Sequence, residues 1–260
     1  MTSTTTYTAR PPIILIAGHW LGAWAWDEVL EHIRGERLEA VAITLPGLDP
    51  LDDHRETATL EDQARAILAL LLQHDGQPAV LVAHSGANAP VSLVLDRHPE
   101  LVAHVVWVDS GPVADGSVFA PDSPAELTSL PLPPLDVLAE QASLDGLSEE
   151  ALARFRDRAV PQPGATMRDA VILRSEARHR VPTTLICCSI TAEQVAALAD
   201  REHPMFAEIA KLACVEFIDL PTGHWPMWSR PRELAEAIAR AASRSQPASQ
   251  RARTAGRIAP

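Results

Sequence analysis

Short runs of apolar residues alternate along the chain with longer stretches in which apolar residues recur at helical spacing. Six runs are nearly continuous in apolar side chains, as is typical of parallel strands that are covered on both faces. These runs lie at residues 13–17, 41–45, 80–83, 102–108, 184–188 and 215–218. The clearest helical stretches are residues 24–33, a segment that begins after Thr59 and ends before Gly76, and residues 87–97 and 233–242. The pattern predicts an α/β fold in which helices flank a mostly parallel sheet of about six strands.

About seventy residues separate the fourth and fifth predicted strands, which is far more than an ordinary connection needs. This interval contains the run PLPPL at 131–135, and helical patterns follow at 134–144, 148–159 and 165–178. Five of its apolar residues are spaced for burial, which argues against a disordered linker: Val137, Leu138, Leu147, Leu152 and Phe155. We therefore predict a helical lid at residues 112–180, inserted into a core that residues 11–111 and 181–243 form.

The two ends of the chain are polar and poor in core-forming residues, so residues 1–10 and 244–260 are predicted to be disordered. The start, MTSTTTYTAR, lacks the apolar segment of a secretory signal, and no apolar run approaches the roughly 20 residues that span a bilayer. The chain has 34 acidic and 22 basic residues and a net charge of −12. This charge disfavours nucleic acid and anionic membranes as partners.

The three cysteines, Cys187, Cys188 and Cys214, have the spacing of neither a disulfide framework nor a metal site. We interpret them as buried thiols in a reducing compartment, which predicts a cytoplasmic protein. The sequence contains no H-E-x-x-H motif, no P-loop and no dinucleotide fingerprint. We therefore expect neither a metal ion nor a cofactor. The sequence predicts no particular oligomeric state.

The strongest candidate for chemistry is Ser85, in the segment VLVAHSGAN at 80–88. A predicted strand runs into this serine and a predicted helix follows directly, as in the strained turn that exposes a nucleophilic serine. The flanking positions hold Ala83 and Ala87, which are small enough for such a turn. The turn would direct the Gly86 N–H into the same space, beside the positive end of the helix. The alternative interpretation is a serine that merely caps a strand–helix junction.

A second segment, AGHWLGAWAWDEV at 17–29, follows the first predicted strand. Acyl transfer needs a second N–H donor for the developing oxyanion, and the backbone N–H of His19 is the candidate, because Gly18 lets the chain turn closely there. Trp24 and Trp26 have the short helical spacing that is more typical of core packing. Trp20 lies nearer the expected cleft.

A third segment, DLPTGHWPMWSRP at 219–231, lies between the last predicted strand and the final helix. A histidine in this loop can reach the serine as a general base, so we select His224 from the ten histidines of the chain. A histidine at this place in the chain fits the order serine, acid, histidine. Trp225 and Trp228 lie in the same loop region, and we expect them, with Trp20 and Phe119, to line an apolar pocket for a small uncharged substrate.

The segments GHWLGAWAW, DRHPELVAHVVWVDS and GHWPMWSRP resemble the α/β-hydrolase superfamily, and within it the plant methylesterase and hydroxynitrile-lyase branch with its bacterial relatives. The resemblance covers residues 12–112 and 180–243. The early loop of that branch usually reads H-G-x-x-H-G-A-W-x-W, and this chain has Ala17 and Leu21 at the two histidine positions. The resemblance implies the α/β-hydrolase fold, with Ser85 as nucleophile, His224 as base, and the His19 and Gly86 N–H groups as the oxyanion hole.

The acid of the triad departs from the family pattern. It usually follows the strand after the lid, where this chain has Thr191, which cannot supply a negative charge. Asp109 ends the strand after the Ser85 helix, at a strand end that some superfamily members use, and Glu193 lies two residues beyond the vacant position. We favour Asp109 over Glu193. A carboxylate that only caps the turn 109–112 is the structural alternative for Asp109.

These residues predict a serine hydrolase that cleaves a carboxylic ester, lactone or thioester through an acyl-enzyme on Ser85. Hydroxynitrile lyases of the branch typically have Thr where this chain has Gly18, and Lys where it has Trp225, so cyanohydrin cleavage is not expected. Two alternatives stay open. One is a cofactor-free lyase or cyclase on the same scaffold, and the other is a catalytically silent fold that binds a small ligand.

Overall fold

A computed structural model describes residues 10–35 and 38–244. Its main sheet contains six strands in the order β2-β1-β3-β4-β7-β8, and every neighbouring pair is parallel. The strands are β1 (Ile13–Ile16), β2 (Ala40–Ile43), β3 (Ala79–His84), β4 (Val102–Val108), β7 (Thr183–Cys187) and β8 (Val215–Asp219). Two short strands, β5 (Ser129–Leu130) and β6 (Gln162–Pro163), form a separate antiparallel pair. The predicted parallel α/β sheet of six strands is confirmed.

The α-helices of the described residues are α1 (Asp27–Gly35), α2 (Leu60–Leu72), α3 (Asn88–Arg97), α4 (Leu135–Gln141), α5 (Glu149–Arg158), α6 (Gly164–Arg168), α7 (Ala192–Asp200), α8 (Pro226–Ser229) and α9 (Pro231–Arg244). The predicted start of α2 is confirmed by a capping box, in which Thr59 and Asp62 each bond the other's backbone N–H. The sequence analysis did not identify α7, which has the same kind of cap at Thr191 and Gln194.

The four inner strands, β1, β3, β4 and β7, are buried on both faces, which explains their continuous apolar runs, whereas the edge strands β2 and β8 are partly exposed. On β1, Ile13 and Leu15 pack into one cluster with residues of α1 and α9, whereas Ile14 and Ile16 pack into a second cluster with residues of α2 and α3. Neighbouring side chains along a strand point to opposite faces, so each position of such a strand needs an apolar residue. The carboxyl ends of the strands are thereby held at one edge of a rigid sheet.

The segment 112–180, which connects β4 to β7, contains α4, α5, α6 and the β5–β6 pair. Leu138 and Phe155 are buried in the same cluster as α1 and α9, as their spacing predicts. The prediction of burial is wrong for Val137, which is 40% exposed.

The prediction of a helix at 165–178 is also wrong, because only α6 and a 3-10 turn at Glu176–Arg180 form in this region. Between them, the Leu173 N–H bonds Asp115, and the Arg174 and Ser175 N–H groups bond Asp96. Side chains from outside residues 165–178 therefore accept hydrogen bonds from the backbone N–H groups that a helix would have used.

Most of the two predicted disordered ends, residues 1–9 and 245–260, lie outside the described residues. The prediction is wrong for Arg244, which ends α9 and forms an ion pair with Glu216. Within the described residues, no helix combines the length and apolarity that crossing a membrane requires.

Candidate active site

Ser85 lies at the carboxyl end of β3, in a turn that leads through the 3-10 segment Ser85–Ala87 into α3. Its φ of +50° falls in the left-handed region, which is costly for a residue with a side chain and is typical of a nucleophile turn. A Cβ on Gly18 would lie 2.7 Å from Ser85 Cβ and 3.1 Å from the Gly86 nitrogen. The loop after β1 therefore approaches the turn so closely that position 18 has no room for a side chain.

His224 and Asp109 continue from Ser85 in a hydrogen-bonded row. The His224 Nε2 atom lies 2.8 Å from Ser85 Oγ, and its Nδ1 atom lies 2.6 Å from Asp109 Oδ2. The Asp109 side chain is 4% exposed and that of His224 is 17% exposed. The three side chains that the sequence analysis selected are thus brought together from β3, the end of β4 and the loop after β8.

Asp109 is held by three further hydrogen bonds from the loop after β7. Its Oδ1 atom accepts from the Cys188 and Ser189 backbone N–H groups at 3.0 and 2.9 Å, and its Oδ2 atom accepts from the Ser189 hydroxyl at 2.6 Å. Burial alone raises the pKa of Asp109, but the contact with His224 and the hydrogen bonds from Ser189 outweigh burial and lower the pKa below its ordinary value. The carboxylate is therefore ionised at neutral pH.

The family's usual acid position is used differently in this chain. The hydroxyl of Thr191 accepts the Gln194 N–H and caps α7. Glu193 is exposed in the first turn of the same helix. Asp109 rather than Glu193 therefore occupies the hydrogen-bonding position on His224 Nδ1.

The loop that carries His224 is fixed by segment 112–180. The Gly223 N–H donates to the Asp145 carbonyl at 3.0 Å, and the His224 N–H donates to the Ser143 carbonyl at 2.8 Å. A Cβ on Gly223 would lie 2.6 Å from both carbonyl oxygens, so the approach requires glycine. The inserted segment thus contributes directly to the placement of the histidine.

His84 is a site residue that the sequence analysis did not identify. Its side chain is 1% exposed, and its Nε2 atom lies 2.8 Å from the carbonyl oxygen of His224. Burial, followed by the nearby His224, lowers the pKa of His84 to about 3, so the ring is neutral and donates through Nε2–H. A histidine at the end of an otherwise apolar strand was the signal that could have indicated this role.

The proposed oxyanion donors belong to two adjacent loops. The close approach of Gly18 to Ser85 and Gly86 places the backbone of residues 18–19 beside that of residues 85–86. The His19 imidazole lies over Gly86, and the ring of Phe119 meets it edge-on at a centroid distance of 4.3 Å. Phe119 itself is 63% exposed.

The three tryptophans predicted to line the pocket have different surroundings. Trp225 is buried with its ring 4.9 Å from that of His224. Trp20 is buried with a φ of +65°, and its Nε1–H donates to the Leu130 carbonyl in β5. Trp228 donates to the Ala25 carbonyl and stacks on Trp24, which places it in core packing. Contact of any of these residues with a substrate stays a prediction.

The cysteines do not form a reactive centre. Cys187 and Cys188 are buried as predicted, and burial raises the pKa of the Cys187 thiol to about 12. The prediction of burial is wrong for Cys214, which is exposed in the loop before β8. Across the described ranges, no group of three or more His, Cys, Asp or Glu side chains is arranged to hold a metal ion.

Comparison with known proteins agrees with this fold. The chain is 26% identical to Methylesterase 7 of Arabidopsis thaliana over 247 residues, which are 85% of this chain and 92% of that protein. It is 29% identical to Putative methylesterase 14, chloroplastic, of the same plant over 105 residues, and that match spans only 30% of the relative. The crystal structure of a methylesterase protein, MES16, from Arabidopsis superposes with a TM-score of 0.70 at 16% identity, covering 90% of this chain and 99% of the other.

The family model described as the alpha/beta hydrolase family matches residues 13–237, which include the strands of the main sheet and all three residues of the Ser85–His224–Asp109 row. The chain therefore belongs to the alpha/beta hydrolase family.

Proposed function

We propose that this hydrolase cleaves a carboxylic ester, lactone or thioester through an acyl-enzyme on Ser85. The observation that carries the proposal is the hydrogen-bonded row, with Ser85 Oγ 2.8 Å from His224 Nε2 and Asp109 Oδ2 2.6 Å from His224 Nδ1. A serine in a strained turn, a neighbouring imidazole and a buried carboxylate are the parts that acyl transfer needs. The name of the relative Methylesterase 7 agrees with an ester substrate.

In the first half of the reaction, Ser85 Oγ attacks the carbonyl carbon while its proton passes to His224 Nε2. The carbonyl oxygen becomes an oxyanion, which the His19 and Gly86 backbone N–H groups stabilise. The bond to the leaving group then breaks, and the leaving alcohol or thiol takes the proton from His224. In the second half, water attacks the acyl-enzyme, its proton passes through His224 to Ser85, and the acid is released.

The charge states of Asp109, His19 and His84 agree with the proposed reaction. Asp109 is ionised and stabilises the imidazolium that His224 becomes in each half-reaction. His19 and His84 lie close by, but burial lowers their pKa values to about 4 and about 3, so both are neutral at pH 7. Neither competes with His224 for the carboxylate, because His224 alone of the three lies at hydrogen-bond distance from Asp109.

We also propose that segment 112–180 covers the site as a lid for a small, uncharged, apolar substrate. Two contacts support this: Phe119 packs on His19, and the carbonyls of Ser143 and Asp145 hold the His224 loop. The ring of Trp20 lies 5.8 Å from that of His19, and the ring of Trp225 lies 4.9 Å from that of His224. An uncharged ester group avoids the cost of burying an ion in such surroundings.

The test is hydrolysis of a panel of p-nitrophenyl esters by the wild-type chain, by Ser85→Ala and by a control, Ser243→Ala, in α9. Ser85→Ala should lower kcat by about 10⁶-fold, and the control should leave kcat unchanged. Intact-mass analysis during turnover should show the acyl adduct in the wild type and in Ser243→Ala but not in Ser85→Ala. Turnover that survives Ser85→Ala would contradict the proposal and favour non-hydrolytic chemistry on the same scaffold. No turnover of any ester by the wild type would favour a ligand-binding role.

A further inference from the structure

The imidazole of His19 occupies the space in which a side chain at position 86 would stand. A Cβ on Gly86 would lie 2.2 Å from His19 Nε2, 2.4 Å from Cδ2 and 2.5 Å from Cε1. Gly86 is not one of the glycines with a positive φ, so its backbone conformation is open to other residues. A side chain at position 86 would therefore overlap the edge of the His19 ring as that ring now stands.

The His19 ring also contacts two aromatic side chains, Phe119 from segment 112–180 and Trp20. Phe119 meets it at 4.3 Å with an interplanar angle of 80°, and Trp20 meets it at 5.8 Å with an angle of 74°. Edge-to-face contacts at these distances are favourable for aromatic rings. The imidazole therefore contacts the serine turn, Trp20 and the inserted segment at the same time, which places it beside Ser85.

The ring is also uncharged under ordinary conditions. Burial, with the nearby His224 as a second cause, lowers the pKa of His19 to about 4. At neutral pH an uncharged imidazole therefore lies next to Gly86.

We propose that the His19 side chain is a specificity-determining residue that limits the size of the ester accepted at Ser85. The proposal rests on the proposed function, and it assigns the imidazole a role separate from that of the His19 backbone N–H. A carbonyl oxygen bound between the N–H groups of residues 19 and 86 brings one substituent of the carbonyl carbon against the ring edge. A bulky substituent on that side collides with the imidazole, whereas a small one fits.

The first test compares wild type, His19→Ala and a control, His32→Ala, an exposed histidine of α1. One ester series varies the acyl group from acetate to octanoate with a constant p-nitrophenol leaving group, and a second varies the alcohol with a constant acid. His19→Ala keeps the backbone N–H but removes the imidazole. The ratio of kcat/KM for the largest ester to that for the smallest should rise by about tenfold or more in the series whose varied group faces residue 19. The control should keep the wild-type ratios.

The second test measures the packing without relying on turnover. Gly86→Ala should lower the melting temperature by roughly 5 °C because its Cβ overlaps the ring. In the His19→Ala background the same change should cost much less, and it should return the size ratio towards the wild-type value. Such coupling is expected only if the two positions share one volume.

The results of these tests distinguish failure of the His19 specificity role from failure of the proposed hydrolase function. An active wild type whose ratios are unchanged by His19→Ala in both series overturns the specificity role alone. If Gly86→Ala lowers the melting temperature equally in the wild-type and His19→Ala backgrounds, the two positions do not share one volume. That result overturns the specificity role of His19 as well. A wild type that hydrolyses no ester in either series overturns the proposed function, and the specificity role falls with it.

Discussion

Two buried histidine–carboxylate pairs can be compared in the described part of this chain. In one, His224 Nδ1 lies 2.6 Å from Asp109 Oδ2, and in the other His179 Nε2 lies 2.9 Å from Glu208 Oε2. In both pairs the carboxylate side chain is almost fully buried, with 4% exposure for Asp109 and 3% for Glu208. The distances alone do not distinguish a site of chemistry from a structural ion pair.

The pairs differ in what the second imidazole nitrogen meets. His224 Nε2 faces the hydroxyl of Ser85, whereas His179 Nδ1 lies 2.9 Å from a second carboxylate, that of Glu176. Glu208 also pairs with Arg178 at 3.2 Å and with Lys211 at 2.5 Å. A histidine whose two nitrogens both contact carboxylates cannot take a proton from a nucleophile, so the second pair is structural.

The structural pair fastens the end of segment 112–180 to the core. Arg178 and His179 precede β7, Glu208 precedes the 3-10 turn at Ile209–Lys211, and Arg178 also lies 3.6 Å from Asp96 in α3. One pair thus acts on a substrate, in our proposal, and the other stabilises the fold.

Of the changes to these two pairs, neutralising Asp109, the proposed acid of the triad, should lower activity the most. Asp109→Asn should lower kcat for a p-nitrophenyl ester by about 10⁴-fold, because an amide neither stabilises the imidazolium nor fixes the required tautomer. The matched variant Glu193→Gln should keep wild-type kcat, since Glu193 is exposed on α7. A large loss in Glu193→Gln with little loss in Asp109→Asn would reverse the assignment.

Neutralising the structural carboxylate should instead lower stability. Glu208→Gln should reduce the free energy of unfolding by about 3 kcal/mol, because Arg178 and His179 lose a buried partner. Urea titration followed by circular dichroism measures this change, and kcat per folded molecule should stay at the wild-type value. A Glu208→Gln variant that is as stable as the wild type but inactive would contradict a purely structural role for the His179–Glu208 pair.

The His84 side chain is expected to act as a positioning residue for His224. His84→Leu cannot donate to the His224 carbonyl, and a displaced base should lower kcat by about 10²-fold with little change in KM. His84→Gln has an amide donor and should recover much of that loss. Equal losses in the leucine and glutamine variants would show that the ring's volume matters and the hydrogen bond does not.

Acid should destabilise the fold through its buried neutral histidines. His104 bonds Thr184 at 2.8 Å in the core, and its burial lowers its pKa from 6.5 to about 4. A histidine with a depressed folded-state pKa contributes its full stability above pH 6.5 and loses it as the pH falls towards 4, because the unfolded chain takes up the proton first. This one group should cost about 2 kcal/mol between pH 7 and pH 5.

Comparing His104→Gln with wild type at both pH values measures this contribution. The variant should show a smaller loss of unfolding free energy on going to pH 5, whatever its stability at pH 7. Parallel losses in the two proteins would show that His104 does not titrate in this range.

The main sheet was predictable because its signal is local. Strands such as β1 are apolar at every position since both faces are buried, and this pattern needs no knowledge of the strand's neighbours. Ser85 and His224 were predictable for a similar reason, because each lies in a short segment with characteristic neighbours.

The identity of the acid depended on contacts between distant parts of the chain. Asp109 reaches His224 across 115 residues, and its donors come from the loop after β7, which lies beside β4 only because Val108 pairs with Ile186. Local sequence left Asp109 and Glu193 as alternatives for this reason. The helix expected at 165–178 does not form for a similar reason. Asp96 and Asp115 lie outside residues 165–178 and accept hydrogen bonds from backbone N–H groups that the helix would have used.

The most direct test of the central claim is labelling by a fluorophosphonate, with the adduct located by peptide mass spectrometry. The wild type and Glu208→Gln should be phosphonylated at Ser85 at similar rates, because the His179–Glu208 pair takes no part in activation. His224→Gln should be labelled several orders of magnitude more slowly, because the base that takes the Ser85 proton is gone. An adduct on another residue, or unchanged labelling of Ser85 in His224→Gln, would contradict the account.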